Sequence, residues 1–444
     1  MRRIACFCLA IAAVSPLWSQ VEPSATGGGS SLDDIQMKTP PPLSGQAYPA
    51  TVGGESRSNF LSGGISLSGG YNDNIMPSGL AQKVGDANYF VVPTISVDRQ
   101  TPRQGMLLSY SSGFTLYQKT TELNGVTQTG TADYSFHLSH YAVVYVNDTF
   151  NQNNNLYNQP NPLGAGGVSA GTPSPTAVYV YPFQNQLGNS LNGGIEYQYG
   201  RNAMIGGGGN YSLVRYSQVT NTSGLDDSNT AGGSGFWSRR LSRGQYIGAL
   251  YQYSRITTQP IQTNSHSHTV FGFYTKYITR TVSLSVLGGP QYYFSRDLVS
   301  GASVGSWTPA VQGSVGYQKP RTNVAANYSR MVSGAGGLVG VFLSNIGNLE
   351  AQQKLTRTWS VGANFSYALF KSVTPVVSSY NQGGHTVSGV ASVQHSYHEH
   401  LLVGVGYSRF HQSYGSFGTG SQLYPDSNRE YASVSYQFSR PIGR

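Results

Sequence analysis

Apolar and polar side chains alternate along this chain in segments of about ten to fourteen residues, which recur from about residue 62 to residue 439. The clearest segment is 359–367, in which the odd positions are apolar and the even positions are small or polar. Because successive side chains of a strand point to opposite faces, each segment predicts a strand with one apolar and one polar face. Almost no helical pattern separates these segments.

The connections between the segments form two classes that alternate strictly. The short connections, most of them basic, are at 98–104, 139–140, 200–202, 240–244, 280, 319–321, 356–357 and 398–400. The long polar ones are at about 72–87, 119–130, 151–186, 217–229, 257–266, 296–304, 332–341, 370–385 and 412–428. Eight turns and nine loops predict an all-β fold: a transmembrane up-and-down antiparallel β-barrel of about 18 strands (16–18), with short periplasmic turns and long outer loops.

The two faces can be assigned where the alternation is clean. We predict that lipid contacts the odd residues of one strand and the even residues of another, namely Leu401, Val403, Val405, Tyr407, Ala432, Val434, Tyr436 and Phe438. Tyr and Phe recur near the strand ends, where amphipathic rings suit a membrane–water boundary. The alternative is a soluble β-sandwich, which would carry more charge on its solvent face.

Composition supports the barrel. The chain has 444 residues, with 56 Gly and 32 Tyr, and only 10% of the residues are charged. A soluble protein usually has about a quarter charged residues. The formal net charge is +9, but the basic residues are spread through the turns, which argues against nucleic acid as a partner.

The sequence before residue 59 predicts two non-barrel segments. Arg2 and Arg3 precede an apolar stretch, which predicts a signal peptide at 1–20 and export. Residues 21–58 are rich in Pro and Gly and predict a disordered periplasmic spacer, either a simple tether or a plug or docking segment. The barrel would then occupy 59–444. Both cysteines, Cys6 and Cys8, lie in the signal segment, so the mature chain would have no disulfide, thiolate metal site or thiol nucleophile.

No enzyme constellation stands out, and we predict no catalytic, cofactor or metal site. His395, His398 and His400, with Glu399, lie at a predicted turn, where they replace the basic residues of other turns or bind a metal. His266 and His268 are a similar pair on a predicted loop. A membrane enzyme is the weakest hypothesis, because no Gly-x-Ser-x-Gly elbow supports a Ser–His pairing.

Strand parity also predicts the charges that line the lumen. The pore-lining candidates on the polar faces are Asp98, Asp133, Glu196, Glu350 and Lys354. The loop at 151–186 has three possible roles: a disordered outer loop, a segment that folds into the lumen to narrow the pore, or a glycan-contact surface. Asn, Gln and Tyr in this loop would suit sugar hydroxyls.

The run Ser68-Gly69-Gly70-Tyr71-Asn72-Asp73-Asn74-Ile75 at the end of the first strand resembles β-barrel porins of Gram-negative bacteria, some of which are linked to exopolysaccharide gene clusters. The same run also suits an ordinary strand end and turn, since Asn and Asp favour turns. The chain departs from a common outer-membrane pattern, in which the last residue is aromatic, because six more residues follow Phe438.

These patterns favour a passive porin-like channel for small hydrophilic solutes in the outer membrane. The alternative is an accessory barrel for exopolysaccharide export or surface attachment. The expected partners are the lipid bilayer and lipopolysaccharide, the barrel-assembly machinery, and small solutes or glycans. No feature selects an oligomeric state.

Overall fold

A computed structural model describes residues 59–75, 83–153, 185–217, 227–242, 244–259, 262–279, 281–334, 341–373, 383–398, 400–414 and 426–442. The predicted signal segment, the predicted spacer and most of the 151–186 loop lie outside the described residues. The described part includes a short 3-10 helix, Thr121–Leu123. None of its helices has the length and apolar character needed to cross a membrane.

The fold consists of antiparallel strands that follow one another in chain order. The strands are β1 (Phe60–Asn72), β2 (Asp86–Gln100), β3 (Gln104–Tyr117), β4 (Gly125–His137), β5 (Ala142–Asn153), β6 (Gln186–Gly200), β7 (Ala203–Tyr216), β8 (Asp227–Ser242), β9 (Gln245–Gln259), β10 (Thr263–Tyr277), β11 (Val282–Asp297), β12 (Ser303–Lys319), β13 (Thr322–Gly334), β14 (Val341–Lys354), β15 (Trp359–Ser372), β16 (Gly384–Tyr397), β17 (Leu401–Tyr414) and β18 (Ser427–Pro441).

Each strand pairs with its chain neighbours, and β1 also pairs with β18, from Phe60 opposite Pro441 to Asn72 opposite Arg429. The sheet is therefore a closed up-and-down barrel of 18 strands. The predicted fold class and strand number are confirmed. Closure leaves no free sheet edge around most of the wall, which is how a barrel satisfies its backbone hydrogen bonds.

The predicted loop at 257–266 is wrong in its extent. Strand β9 continues to Gln259 and β10 begins at Thr263, so the connection is much shorter. The hydroxyls of Thr258 and Thr263 hydrogen-bond across the strand pair at 2.8 Å. The ends of these two strands are polar because their side chains bond to each other, and such a polar composition is also typical of a loop. As a consequence, His266 and His268 lie on β10 and not on a loop.

Exposure separates the two faces of the wall. Side chains crowd together on the concave inner face of a closed barrel and spread apart on the convex outer face. Val405 and Tyr436 are exposed, whereas Ser435 is 2% exposed and alternates with Tyr436. The outward faces predicted for β17 and β18 agree with this pattern. Ile65, Leu67, Ile195 and Phe365 continue the exposed apolar face around the barrel.

Candidate functional site

The inner face is lined mainly by Ser, Thr, Asn and Gln side chains. Hydroxyl pairs bridge neighbouring strands at several levels, including Ser66 with Ser435 at 2.8 Å and Thr275 with Ser285 at 2.9 Å. These bonds satisfy polar groups that would otherwise be buried without partners. The interior of the barrel is therefore a polar surface that water or a hydrophilic solute can contact.

The five pore-lining candidates all lie on this inner face, close to the turn end of the barrel. Register places Asp98 opposite Phe60 and Leu107, Asp133 opposite Leu107 and Asn147, and Glu196 opposite Val143. Asp133 accepts a hydrogen bond from Asn147 Nδ2. The candidates are not brought together, because they are spread over β2, β4, β6 and β14.

Glu350 is the most enclosed of the five. It is 9% exposed, and its Oε2 has no hydrogen-bond partner among the described residues. Register sets it between Ala325 and Asn364. Lys354, on the same face and next to the turn, is exposed. The five candidates thus place four carboxylates and one ammonium group on the inner surface near the turns.

The Asn72-Asp73-Asn74-Ile75 run joins the first strand to the last. Asn72 Oδ1 accepts hydrogen bonds from Asn74 N and from Ser427 Oγ, both at 2.9 Å. The Asp73 carboxylate accepts from Asn428 N at 2.7 Å and from Asn428 Nδ2 at 2.8 Å. This run therefore ends a strand, as one of the sequence interpretations held, and it also fastens β1 to β18.

Arg429 is a buried cation on the inner face that the sequence analysis did not select. It is 7% exposed, and its guanidinium carbon lies 4.6 Å from the ring centroid of Phe90 and 5.5 Å from that of Tyr431. The cation–π contacts with these two rings compensate part of the hydration that the Arg429 guanidinium loses on burial. Parity could have found Arg429, because it alternates with outward residues in the same way as Ser433 and Ser435.

The wall has a weak point between β12 and β13. Their ladder stops at Val311–Arg330, although both strands continue towards the loop end. If the β12–β13 ladder continued by two more residues, Pro309 would lie opposite Val332. On its other side, Pro309 lies opposite Pro290 of β11. Proline has no N–H to donate, so two adjacent prolines weaken the ladder at this level.

The Gln291 side chain takes over the missing ladder bonds. Val332 N donates to Gln291 Oε1 at 2.7 Å, and Gln291 Nε2 donates to Val332 O at 3.1 Å. Gln291 is 1% exposed and lies on the inner face of β11. A side-chain amide from one strand therefore imitates the backbone of a neighbouring strand, and it holds β13 against the inside of β11.

The end of the β13–β14 hairpin, residues 331–334 and 341–344, lies inside the barrel. Val332 shares a strand face with Tyr328, which is 46% exposed, yet Val332 is 3% exposed and Val341 is 4% exposed. Both line a small cavity with Ser254, Ile256 and Ser265 of the inner wall. We call residues 331–334 and 341–344 the folded-in end. It occupies lumen space near the loop end.

An apolar cluster supports the folded-in end. Phe271, Phe273, Leu287 and Ala310 are each at most 3% exposed, and Leu250 and Met331 pack against them. These residues lie on the inner face, where the sequence analysis expected polar side chains. The run Val270-Phe271-Gly272-Phe273-Tyr274 is apolar on both faces, which is the signal that could have predicted packing inside the lumen.

The histidines form aromatic contacts. His395 lies 4.5 Å from Trp359 and His398 lies 4.4 Å from Tyr397, measured between ring centroids. His400 Nδ1 is 2.8 Å from the carbonyl oxygen of Gln437. Within the described residues, no group of three His, Cys, Asp or Glu side chains has a metal-binding arrangement. The side chain of Glu399 lies outside the described residues.

Comparison with known proteins gives similar folds only. Outer membrane protein OpdK from Pseudomonas aeruginosa is 9% identical, with a TM-score of 0.41 over 86% of this chain and 99% of that chain. Acinetobacter baumannii OccAB3 is 11% identical, with a TM-score of 0.40 over the same shares, 86% and 99%. The ferric citrate transporter FecA is 9% identical, with a TM-score of 0.44 over 89% of this chain and 82% of that chain.

No protein-family model and no curated protein matches the chain. At identities of 9–11% and TM-scores below 0.5, the solved structures carry no argument about family or activity. The resemblance to exopolysaccharide-linked porins therefore stays a prediction from the sequence. The functional argument rests on the geometry of the barrel itself.

Proposed function

We propose that this protein is a passive channel for small hydrophilic solutes in the outer membrane of a Gram-negative-type cell. The observation that carries the proposal is the closed 18-strand barrel with exposed apolar side chains outside and hydroxyl and amide side chains inside. Lipid solvates the outer face of such a wall and water solvates the inner face. Barrels of about sixteen to eighteen strands are wide enough to enclose an aqueous channel.

The proposed path has two unequal ends. The turn end carries Asp98, Asp133, Glu196 and Glu350 against Lys354, so a solute entering there meets mainly carboxylates. The loop end is narrowed by the folded-in end of β13–β14, which the Gln291 amide holds in place. Charged groups at a narrow polar surface select by sign, and we infer a preference for cations and neutral solutes.

No observation favours the other hypotheses over the channel. An accessory barrel for exopolysaccharide export has no support from the comparisons.

Single-channel recording in planar bilayers tests the proposal, with neutral sugars of graded size added to find the exclusion limit. Folding is verified first by the heat-dependent migration of the barrel in gel electrophoresis. We expect stable current steps that sugars below the limit reduce. A folded barrel that never conducts, either as the natural protein or as the Gln291→Leu variant, would refute a diffusion channel.

A further inference from the structure

Four aromatic rings lie side by side on the outer face of β9–β12. Register places Tyr253 opposite His268, His268 opposite Tyr292, and Tyr292 opposite Trp307. The ring centroids of Tyr253 and His268 are 5.0 Å apart, and those of Tyr292 and Trp307 are 5.2 Å apart. Trp307 is 68% exposed. These four rings, tilted by 49° and 51° within the two pairs, form an aromatic platform on the outside of the wall.

Cations lie on the loop side of this platform. Arg255 is opposite His266 on β10, and His266 stacks on Phe294 with centroids 5.2 Å apart. Arg296 lies one level nearer the loops, opposite Asn264. Both arginines are exposed. Arg255 Nε donates to Asn264 Oδ1 at 3.1 Å, and this single bond uses only part of a guanidinium's donor capacity.

Aliphatic residues lie on the other side of the platform, towards the turns. Val270, Val286, Val311 and Val315 are exposed on the same outer face. The outer surface of β9–β12 therefore has cations nearest the loops, the aromatic platform next, and valines with Tyr251 on the turn side of the platform. A lipid with phosphates, a sugar headgroup and acyl chains has the same order of chemistry along its length.

In the part of the chain that the structure describes, no acid lies beside the cations on this surface. The described residues of β9–β12 carry no carboxylate on the outer face, since their acid, Asp297, lies on the inner face. At the loop end of β7 and β8, by contrast, Arg215 lies 3.8 Å from the carboxylate of Asp227. The guanidinium groups of Arg255 and Arg296 can therefore form charge-assisted hydrogen bonds with an external anion.

The geometry points to a binding site for a bisphosphorylated, multiply acylated glycolipid of the lipid A class on the outer face of β9–β12. Arg255 and Arg296 would bind the phosphates, the Tyr253–His268–Tyr292–Trp307 platform would face the disaccharide, and the valines would contact the acyl chains. This inference rests on the proposed function in one respect: the loops must face outwards, so that the loop end meets the outer leaflet.

Native mass spectrometry of the full chain in detergent micelles, titrated with purified bisphosphorylated lipid A, tests the site. We expect the Arg255→Ala/Arg296→Ala variant to bind lipid A at least tenfold more weakly. The matched control is Lys276→Ala/Lys319→Ala, which removes two cations from the same outer face at the turn end and should leave lipid A binding unchanged. Monophosphorylated lipid A should bind the natural protein several-fold more weakly.

Several outcomes would overturn the site. Equal binding by the two double variants would do so, as would phosphatidylglycerol binding as tightly as lipid A. Displacement by inorganic phosphate alone would reveal a simple anion site. Loss of a self-associated species in the arginine variant would assign this face to contact between copies. Conductance separates this inference from the channel: a protein that binds lipid A without conducting keeps the site and loses the proposed function.

Discussion

At the scale of single residues, Gln291 holds the folded-in end inside the barrel. Its amide supplies one donor and one acceptor to the backbone of Val332, in the place where two prolines interrupt the ladder. A buried backbone group that loses its partner costs about 1–3 kcal/mol. The folded-in end therefore depends on one side chain more than on any strand pairing with β12.

Replacing Gln291 with Leu keeps the side-chain volume and removes both hydrogen bonds. We expect the folded-in end to be destabilised by about 2 kcal/mol, which changes the ratio of inserted to released forms by about thirtyfold. Single-channel conductance should rise, or open steps should become more frequent. Gln394→Leu is the matched control, because Gln394 lies on the inner face of β16 away from the hairpin. Unchanged conductance in Gln291→Leu would mean that the hairpin does not narrow the pore.

The carboxylates near the turns set the expected ion preference. In the triple variant Asp98→Asn, Asp133→Asn and Glu196→Gln, the cation preference should fall towards equal permeability of cations and anions. The reversal potential in a salt gradient measures this. The size limit for neutral sugars should stay the same, since amides and carboxylates have similar volumes. A reversal potential that does not move would place the selective region elsewhere in the lumen.

At the scale of elements, the junction of β1 and β18 differs from the other strand pairs because it joins the first strand to the last. Polar side chains at its loop end add bonds to the ladder, and Asn74 Nδ2 donates to Asp426 O at 3.0 Å in addition to the contacts of Asp73. Ile75 is fully buried next to them. The junction joins parts of the chain that are far apart in sequence. Bringing them together therefore costs more conformational entropy than pairing consecutive strands, and the side-chain hydrogen bonds offset part of that cost.

We expect Asp73→Ala to lower the free energy of unfolding by about 2 kcal/mol, because two hydrogen bonds to a charged acceptor are lost. Urea unfolding in lipid vesicles, followed by tryptophan fluorescence, measures the change. Asp148→Ala is the control: the Asp148 carboxylate accepts one bond, from Asn189 Nδ2 at 2.9 Å, within a pair of consecutive strands. If both variants lose the same stability, the junction has no special contribution.

The sequence predicted the strands well, because period-two alternation and basic turns are local signals. It also predicted the inner-face position of Asp98 and Glu196, although their role in the pore stays a prediction. The folded-in end was not predicted. It depends on an amide at position 291 meeting a backbone at position 332, and on Pro290 lying opposite Pro309. Such contacts depend on which residues of different strands lie close to each other. The alternation along a single strand does not give that information.

At the scale of the whole molecule, the barrel separates charge and apolar surface by face. The chain is basic overall at +9, while four of the five candidate charges on its inner face are acidic. Net charge therefore gives no guide to the solute. The outer face carries the exposed Ile, Leu, Val and aromatic side chains, and in the proposed membrane setting lipid rather than water stabilises them.

A chain that lacks β18 should fail to reach the heat-resistant form, since β1 and β17 would both lose a partner. Gel migration before and after boiling measures this. Removing a single contact, as in Tyr407→Phe, which loses the bond from Tyr407 Oη to Asn428 Oδ1, should leave the heat-resistant form intact. Heat resistance in the truncated chain would show that seventeen strands close on their own.

The pairing of β1 with β18 also fixes an order of events during biosynthesis. The first strand is made early and its partner last, and Ser66 meets Ser435 across 369 positions of sequence. Until that moment the sheet has two open edges, which are templates for aggregation, and contacts of such long range form slowly. The newly synthesised chain must therefore be prevented from pairing with other chains until β18 has paired with β1.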